Sequence, residues 1–151
     1  LSLVIYFILS AGLFFLSLAE RDLILLTFLI LSIFDSFSQI TGQLFGKTKI
    51  MPDISPNKTL GGVVGGTIIS LVSAFLLKSL FFGTIPELFL FAFGTILFAF
   101  IGDILASFYK RKFQVKDYSN WIPGHGGFLD RFDSLIAGGA WAALAISFLG
   151  I

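Results

Sequence analysis

Asp103 stands in the run Phe98-Ala-Phe-Ile-Gly-Asp-Ile-Leu-Ala-Ser-Phe108, one to two turns inside an otherwise apolar helix. An ionised carboxylate at the centre of a membrane span costs roughly 2.5–3.5 kcal/mol, and less near the interface. Such a residue therefore normally faces a cavity, a partner charge or a metal. At helical spacing Ser107, Lys110 and Arg111 share its face. Two readings follow: a plain Asp103–Lys110 pair that holds helices together, or one wall of a reactive site.

A second cluster lies in Pro123-Gly-His-Gly-Gly-Phe-Leu-Asp-Arg-Phe-Asp133. Asp130 and Asp133 are three apart and project from one side of a helix that begins near Gly127. Acids in a first turn also suit the positive end of a helix. Capping of that kind explains one carboxylate, but not two beside Arg131 and the only histidine. Gly124, Gly126 and Gly127 allow close backbone approach, and a glycine turn entering a helix N-terminus offers N–H groups to phosphate. His125 could serve as a general base, a phosphate donor, a metal ligand or a structural cap. Zinc lacks a second histidine or any cysteine to complete its usual shell. Magnesium, held by carboxylates and substrate phosphates, is the natural occupant.

The third element is Asp35 together with the loop Ile54-Ser-Pro-Asn-Lys-Thr-Leu-Gly-Gly62. Ser55 before Pro56 is expected to form a rigid turn, and Thr59 to start the next helix. Lys58 points at the same polar face. Lys110, Arg111, Lys116 and Arg131 read as phosphate clamps, whereas Lys47, Lys49 and Lys112 suit plain membrane topology. Carboxylates for a divalent cation, cations for several phosphates and no covalent nucleophile together fit phosphoryl or nucleotidyl transfer. In that chemistry, positioning and charge neutralisation supply most of the catalysis.

The elements that must position these groups are membrane helices. Hydrophobic residues make up 56% of the chain and charged residues 13%, against about 25% charged in a soluble domain; the mean hydropathy is +0.97. Five membrane segments are expected: Leu1 to Ala19, Leu23 to Phe45, Thr59 to Phe82, Pro86 to Phe108 and Gly127 to Gly150. Each approaches the roughly 20 residues of a helical span. The second carries a polar stripe of Ser36, Ser38, Gln39, Thr41 and Gln43 beside Asp35. The third opens with Gly61, Gly62, Gly65 and Gly66, which suit close helix packing and accord with a homodimer. The expected class is an all-α, polytopic transmembrane bundle with cytoplasmic catalytic loops, a single catalytic domain over residues 1–151.

Basic residues orient it. Lys47, Lys49, Lys58, Lys110, Arg111, Lys112, Lys116 and Arg131 lie in or beside the two long loops, 46–58 and 109–126, and only Arg21 and Lys78 oppose them. The positive-inside rule places those loops in the cytoplasm. The absence of cysteine excludes disulfides and thiolate chemistry, and a net charge of +1 gives no reason to expect a nucleic-acid partner. The chain opens on Leu1 inside an apolar run without the basic region of a signal peptide, and is read as a fragment of a longer polypeptide.

The stretch from Ser107 to Asp133 resembles the signature of the phosphatidate cytidylyltransferase family: S-x-x-K-R, then K-D, then P-G-H-G-G-x-x-D-R-x-D. Ser107, Lys110, Arg111, Lys116, Asp117, Pro123, Gly124, His125, Gly126, Gly127, Asp130, Arg131 and Asp133 occupy its fixed positions. Gly102-Asp103, Ser55-Pro56-Asn57-Lys58-Thr59 and Asp35 also look like family elements. The resemblance implies transfer of CMP from CTP to phosphatidate, giving CDP-diacylglycerol and pyrophosphate for phospholipid synthesis at the cytoplasmic face of the inner membrane. It further implies that Asp103 and Asp130 hold a metal pair, magnesium with a monovalent ion such as potassium. Asp117, His125 and Asp133 would orient or assist. Asp35, Ser55, Lys58, Thr59, Ser107, Lys110, Arg111, Lys116, Gly126, Gly127 and Arg131 would bind substrate. The family often has Glu at the position of Ala106 and Glu-Gly at Gly61-Gly62, so another lipid phosphate or a polyprenol stays open as acceptor. A cation transporter with Asp35, Asp103 and Asp130 along its path is the reading from another class. The basic loops oppose it, because they would repel a cation at the mouth.

Overall fold

The computed structural model describes residues 10–52, 54–81, 83–114 and 129–150, with the side chains of residues 129–133 outside the description. The chain is mostly helical. Residues 10–16 form α1, followed by α2 (Arg21–Phe45), β1 (Lys49–Met51), β2 (Ser55–Thr59), α3 (Leu60–Leu76), a 3-10 turn at Lys78–Leu80, α4 (Ile85–Lys112) and α5 (Leu129–Leu149). By length and composition, α2 and α4 are apolar enough to cross a membrane, whereas α3 and the apolar part of α5 are shorter.

Helix α2 buries Leu23, Leu26, Ile30 and Phe34, a three-to-four-residue spacing that lays one stripe along a helix. That stripe meets Leu88, Phe91, Ala92 and Ile96 of α4 and Ala142, Ala143 and Ala145 of α5 in one core. Trp141 of α5 stacks on Phe98 at 4.9 Å, and its indole N–H donates to the Phe91 carbonyl at 3.3 Å. Gly94 leaves the space that the indole occupies. Outside the core, the helices present exposed Phe14, Phe15, Phe28, Phe93 and Phe148.

Three sequence expectations change. The stretch 46–58, read as a loop, contains an antiparallel hairpin in which Lys49 pairs with Thr59 and Met51 with Ser55. Ser55 and Pro56 therefore sit in a strand instead of a turn, and the turn falls between β1 and β2. The third segment ends its α-helix at Leu76, short of Phe82. The fourth runs on to Lys112, with Lys110, Arg111 and Lys112 in its last turn, where cations favour the negative helix end. At its start, Glu87 accepts from the Thr84 N–H at 2.6 Å beside Pro86, a capping arrangement.

The glycines of α3 face α2 of the same chain. A Cβ on Gly62 would lie 2.5 Å from the Ser38 carbonyl, one on Gly65 2.7 Å from Thr41 and one on Gly66 2.8 Å from Ser38. Thr41 donates to the Gly62 carbonyl across this contact at 3.2 Å. Gly62, Gly65 and Gly66 thus pack against α2 within the chain.

Candidate active site

The polar residues of three separate elements converge at one end of the bundle. On α2, Asp35, Ser38 and Gln39 stand at i, i+3 and i+4, one face of the helix. On β2 and the following cap lie Ser55, Asn57, Lys58 and Thr59. On α4 lies Asp103. With Phe34, Gly62, Val63 and Phe100, these residues line a single cavity of about 300 Å³, at the small end of ligand sites.

Thr59 is where sequence and structure agree most closely. Its backbone is extended and its hydroxyl accepts from the Gly62 N–H at 3.2 Å, so it caps α3 as expected of a Thr before a helix. The cap fixes the junction of strand and helix, and with it the direction in which Lys58 leaves β2. The Lys58 ammonium forms an ion pair with the Asp103 carboxylate and lies 5.0 Å from the Phe100 ring centre. Both side chains are partly withdrawn from solvent, 19% exposed for Lys58 and 35% for Asp103. Helical spacing drew attention to Lys110; the tertiary fold supplies Lys58.

Asp35 lies within electrostatic reach of both Asp103 and Lys58. It also accepts a hydrogen bond from the Ser134 hydroxyl at 3.4 Å. Ser134 follows Asp133 directly, so this bond brings the second turn of α5 to Asp35, and position 130 is one helical turn before Ser134. Next to the cavity lining, the Arg111 Nε donates to the Ile54 carbonyl at 3.4 Å, tying the end of α4 to the hairpin.

The structure thus brings together Asp35, Ser55, Lys58, Thr59 and Asp103, with Arg111 at the rim and Ser107 one turn beyond Asp103. Lys116, Asp117, His125, Gly126 and Gly127 lie outside the described residues. So do the side chains of Asp130, Arg131 and Asp133. Among the described residues no three acids or histidines stand close enough to form a metal site by themselves. Ser38, Gln39, Asn57 and Ser134 join the site without having been singled out. The first two belong to the polar stripe on the second segment, and Ser134 had no signal beyond its place after Asp133.

The sequence matches the Cytidylyltransferase family over residues 1–149. It is 41% identical over 122 residues to a phosphatidate cytidylyltransferase of Rickettsia bellii, an alignment covering 76% of this chain and 53% of that protein. It is 43% identical over 104 residues to the Bacillus subtilis phosphatidate cytidylyltransferase, covering 68% and 39%. For the Staphylococcus saprophyticus protein of that name, the figures are 45% over 116 residues, 75% and 44%. The chain spans about half the length of the curated relatives it matches. On a family match that runs through all five helices and the polar cavity between them, this chain belongs to the cytidylyltransferase family.

Proposed function

We propose that this chain carries the catalytic portion of a membrane enzyme that transfers CMP from CTP to phosphatidate, giving CDP-diacylglycerol and pyrophosphate. The observation that carries the reading is the cavity where Asp35, Lys58 and Asp103 meet between elements that are far apart in sequence. Relatives named phosphatidate cytidylyltransferase support the reaction, and the intact signature between Ser107 and Asp133 supports the substrates.

The donor set fits a hard divalent cation. Two carboxylates face one cavity with hydroxyl and amide oxygens beside them, and oxygen ligands of this kind suit magnesium. Asp103 and Asp130 would hold it, with a monovalent ion such as potassium alongside. The metal would supply charge neutralisation on the triphosphate when bound. The chain's own residues do the rest. Lys110, Arg111, Lys116 and Arg131 draw the phosphates in, while Gly126 and Gly127 offer backbone N–H groups. Asp117, His125 and Asp133 orient the reactants. The lipid phosphate oxygen attacks the α-phosphorus of CTP in line, the bond from that phosphorus to the bridging oxygen breaks, and pyrophosphate leaves with the electron pair. No enzyme-bound intermediate forms.

The setting is a polytopic helical bundle whose exposed phenylalanines face lipid and whose polar end faces the cytoplasm. Tested with radiolabelled CTP, magnesium and a panel of acceptors in detergent micelles, the full-length protein should label phosphatidate. Label on a polyprenol instead, or none on any lipid while CTP still binds, would overturn the choice of acceptor.

A further inference from the structure

The Lys58–Asp103 pair is unusual for what surrounds it. Lys58 leaves the end of β2, directly before the helix cap at Thr59, and its ammonium reaches across the cavity to a carboxylate on α4. Asp35 brings a second carboxyl group to the same cavity. One ammonium thus pairs with one of two carboxyl groups that line the same cavity, a balance of charge that favours a further cation. The ammonium and any divalent cation bound at Asp103 then compete for one carboxylate, because like charges repel at contact distance.

We propose that Lys58 is a built-in stand-in cation: it neutralises Asp103 until a divalent ion binds there, and so sets how tightly that ion is held. The assignment rests on the metal-dependent reading of the site given above. It makes Lys58 a positioning residue that acts through Asp103. The pair spans the site instead of the bundle core, so a purely structural bridge would leave metal affinity unaltered.

The test uses manganese as the probe, titrated into detergent-purified, nucleotide-free, full-length protein and followed by the electron paramagnetic resonance signal of the free ion. Binding that survives Asp103→Asn is subtracted as unrelated to the site. Lys58→Gln should bind manganese on the order of tenfold more tightly than the wild type, and Lys58→Arg, which keeps the charge, should stay near the wild type. In thermal melts, magnesium should raise the melting temperature of Lys58→Gln more than that of the wild type, a difference that a general loss of fold would not produce. Unchanged or weaker manganese binding by a folded Lys58→Gln, with the wild type still binding, overturns the stand-in role alone. Absence of Asp103-dependent binding in every form overturns that role and the metal reading together.

Discussion

At the scale of single residues, the ion pair of Asp103 and Lys58 stands at the centre of the cavity lining. Asp103 occupies a position on α4 where an apolar side chain would be easier to place, which is the reason to expect work from it. Asp103→Asn removes the charge and keeps the size. It should lower CTP-dependent turnover at least about a hundredfold, the order seen when a preorganised charge-stabilising group is lost, and circular dichroism should show the helices intact. Thr59→Ala should cost about 1 kcal/mol through the lost cap, measured by thermal unfolding, with a further loss of turnover because Lys58 loses its fixed exit. The aspartate was legible in the sequence as a charge inside an apolar run. Lys58 was legible as a lysine aimed at the same polar face, but spacing along one helix nominates only Lys110 and Arg111 as partners, and the pairing with Asp103 across elements is fixed only once the chain has folded.

At the scale of elements, the contact between α2 and α3 sets the floor of the site. The glycine face of α3 lets Ser38 and Thr41 approach its backbone, which brings Asp35 and Gln39 beside Lys58. Gly66→Ala should destabilise by about 1–3 kcal/mol through overpacking, since its Cβ would meet backbone atoms of Ser38. Turnover should fall alongside. Trp141→Phe makes the contrasting case. It loses the hydrogen bond to the Phe91 carbonyl, roughly three helical turns along α4 from Asp103, so it should lower the melting temperature by the equivalent of about 1 kcal/mol with turnover nearly unchanged. Small residues at helical spacing announced a close contact in the sequence, but nothing local says whether the partner is another chain or α2. The hairpin was equally hidden. Its strands are short, Pro52 and Pro56 flank and interrupt it, and no alternation of apolar and polar residues marks it. Thr59 and the basic end of α4 were legible because caps and helix-end charges are local effects.

For the whole molecule, the account requires a bundle with one charged end. Arg111 bonding to the Ile54 carbonyl and Ser134 bonding to Asp35 gather the end of α4, the hairpin and the early part of α5 at that end. Lys78 lies beyond the far end of α3, in the 3-10 turn. This chain has no cysteine, so each substitution is compared with the unsubstituted protein as its labelling background. In intact cells, Lys78→Cys should react with a membrane-impermeant maleimide, whereas Lys47→Cys and Lys112→Cys should react only after permeabilisation. The charge asymmetry from which this orientation follows was readable directly from the sequence. Of the five expected spans, α2 and α4 are long and apolar enough to cross a membrane, whereas α3 stops at Leu76 because the chain turns into a 3-10 segment before reaching Phe82.

The proposed cytidylyl transfer to a lipid phosphate depends on the cavity around Asp103. The most direct test compares wild-type protein with Asp103→Asn for magnesium-dependent incorporation of radiolabelled CTP into phosphatidate, with equilibrium binding of CTP measured on the same preparations. The account predicts a CDP-lipid product from the wild type that disappears with EDTA and nearly disappears in the variant. Undiminished product from a folded Asp103→Asn protein would contradict it.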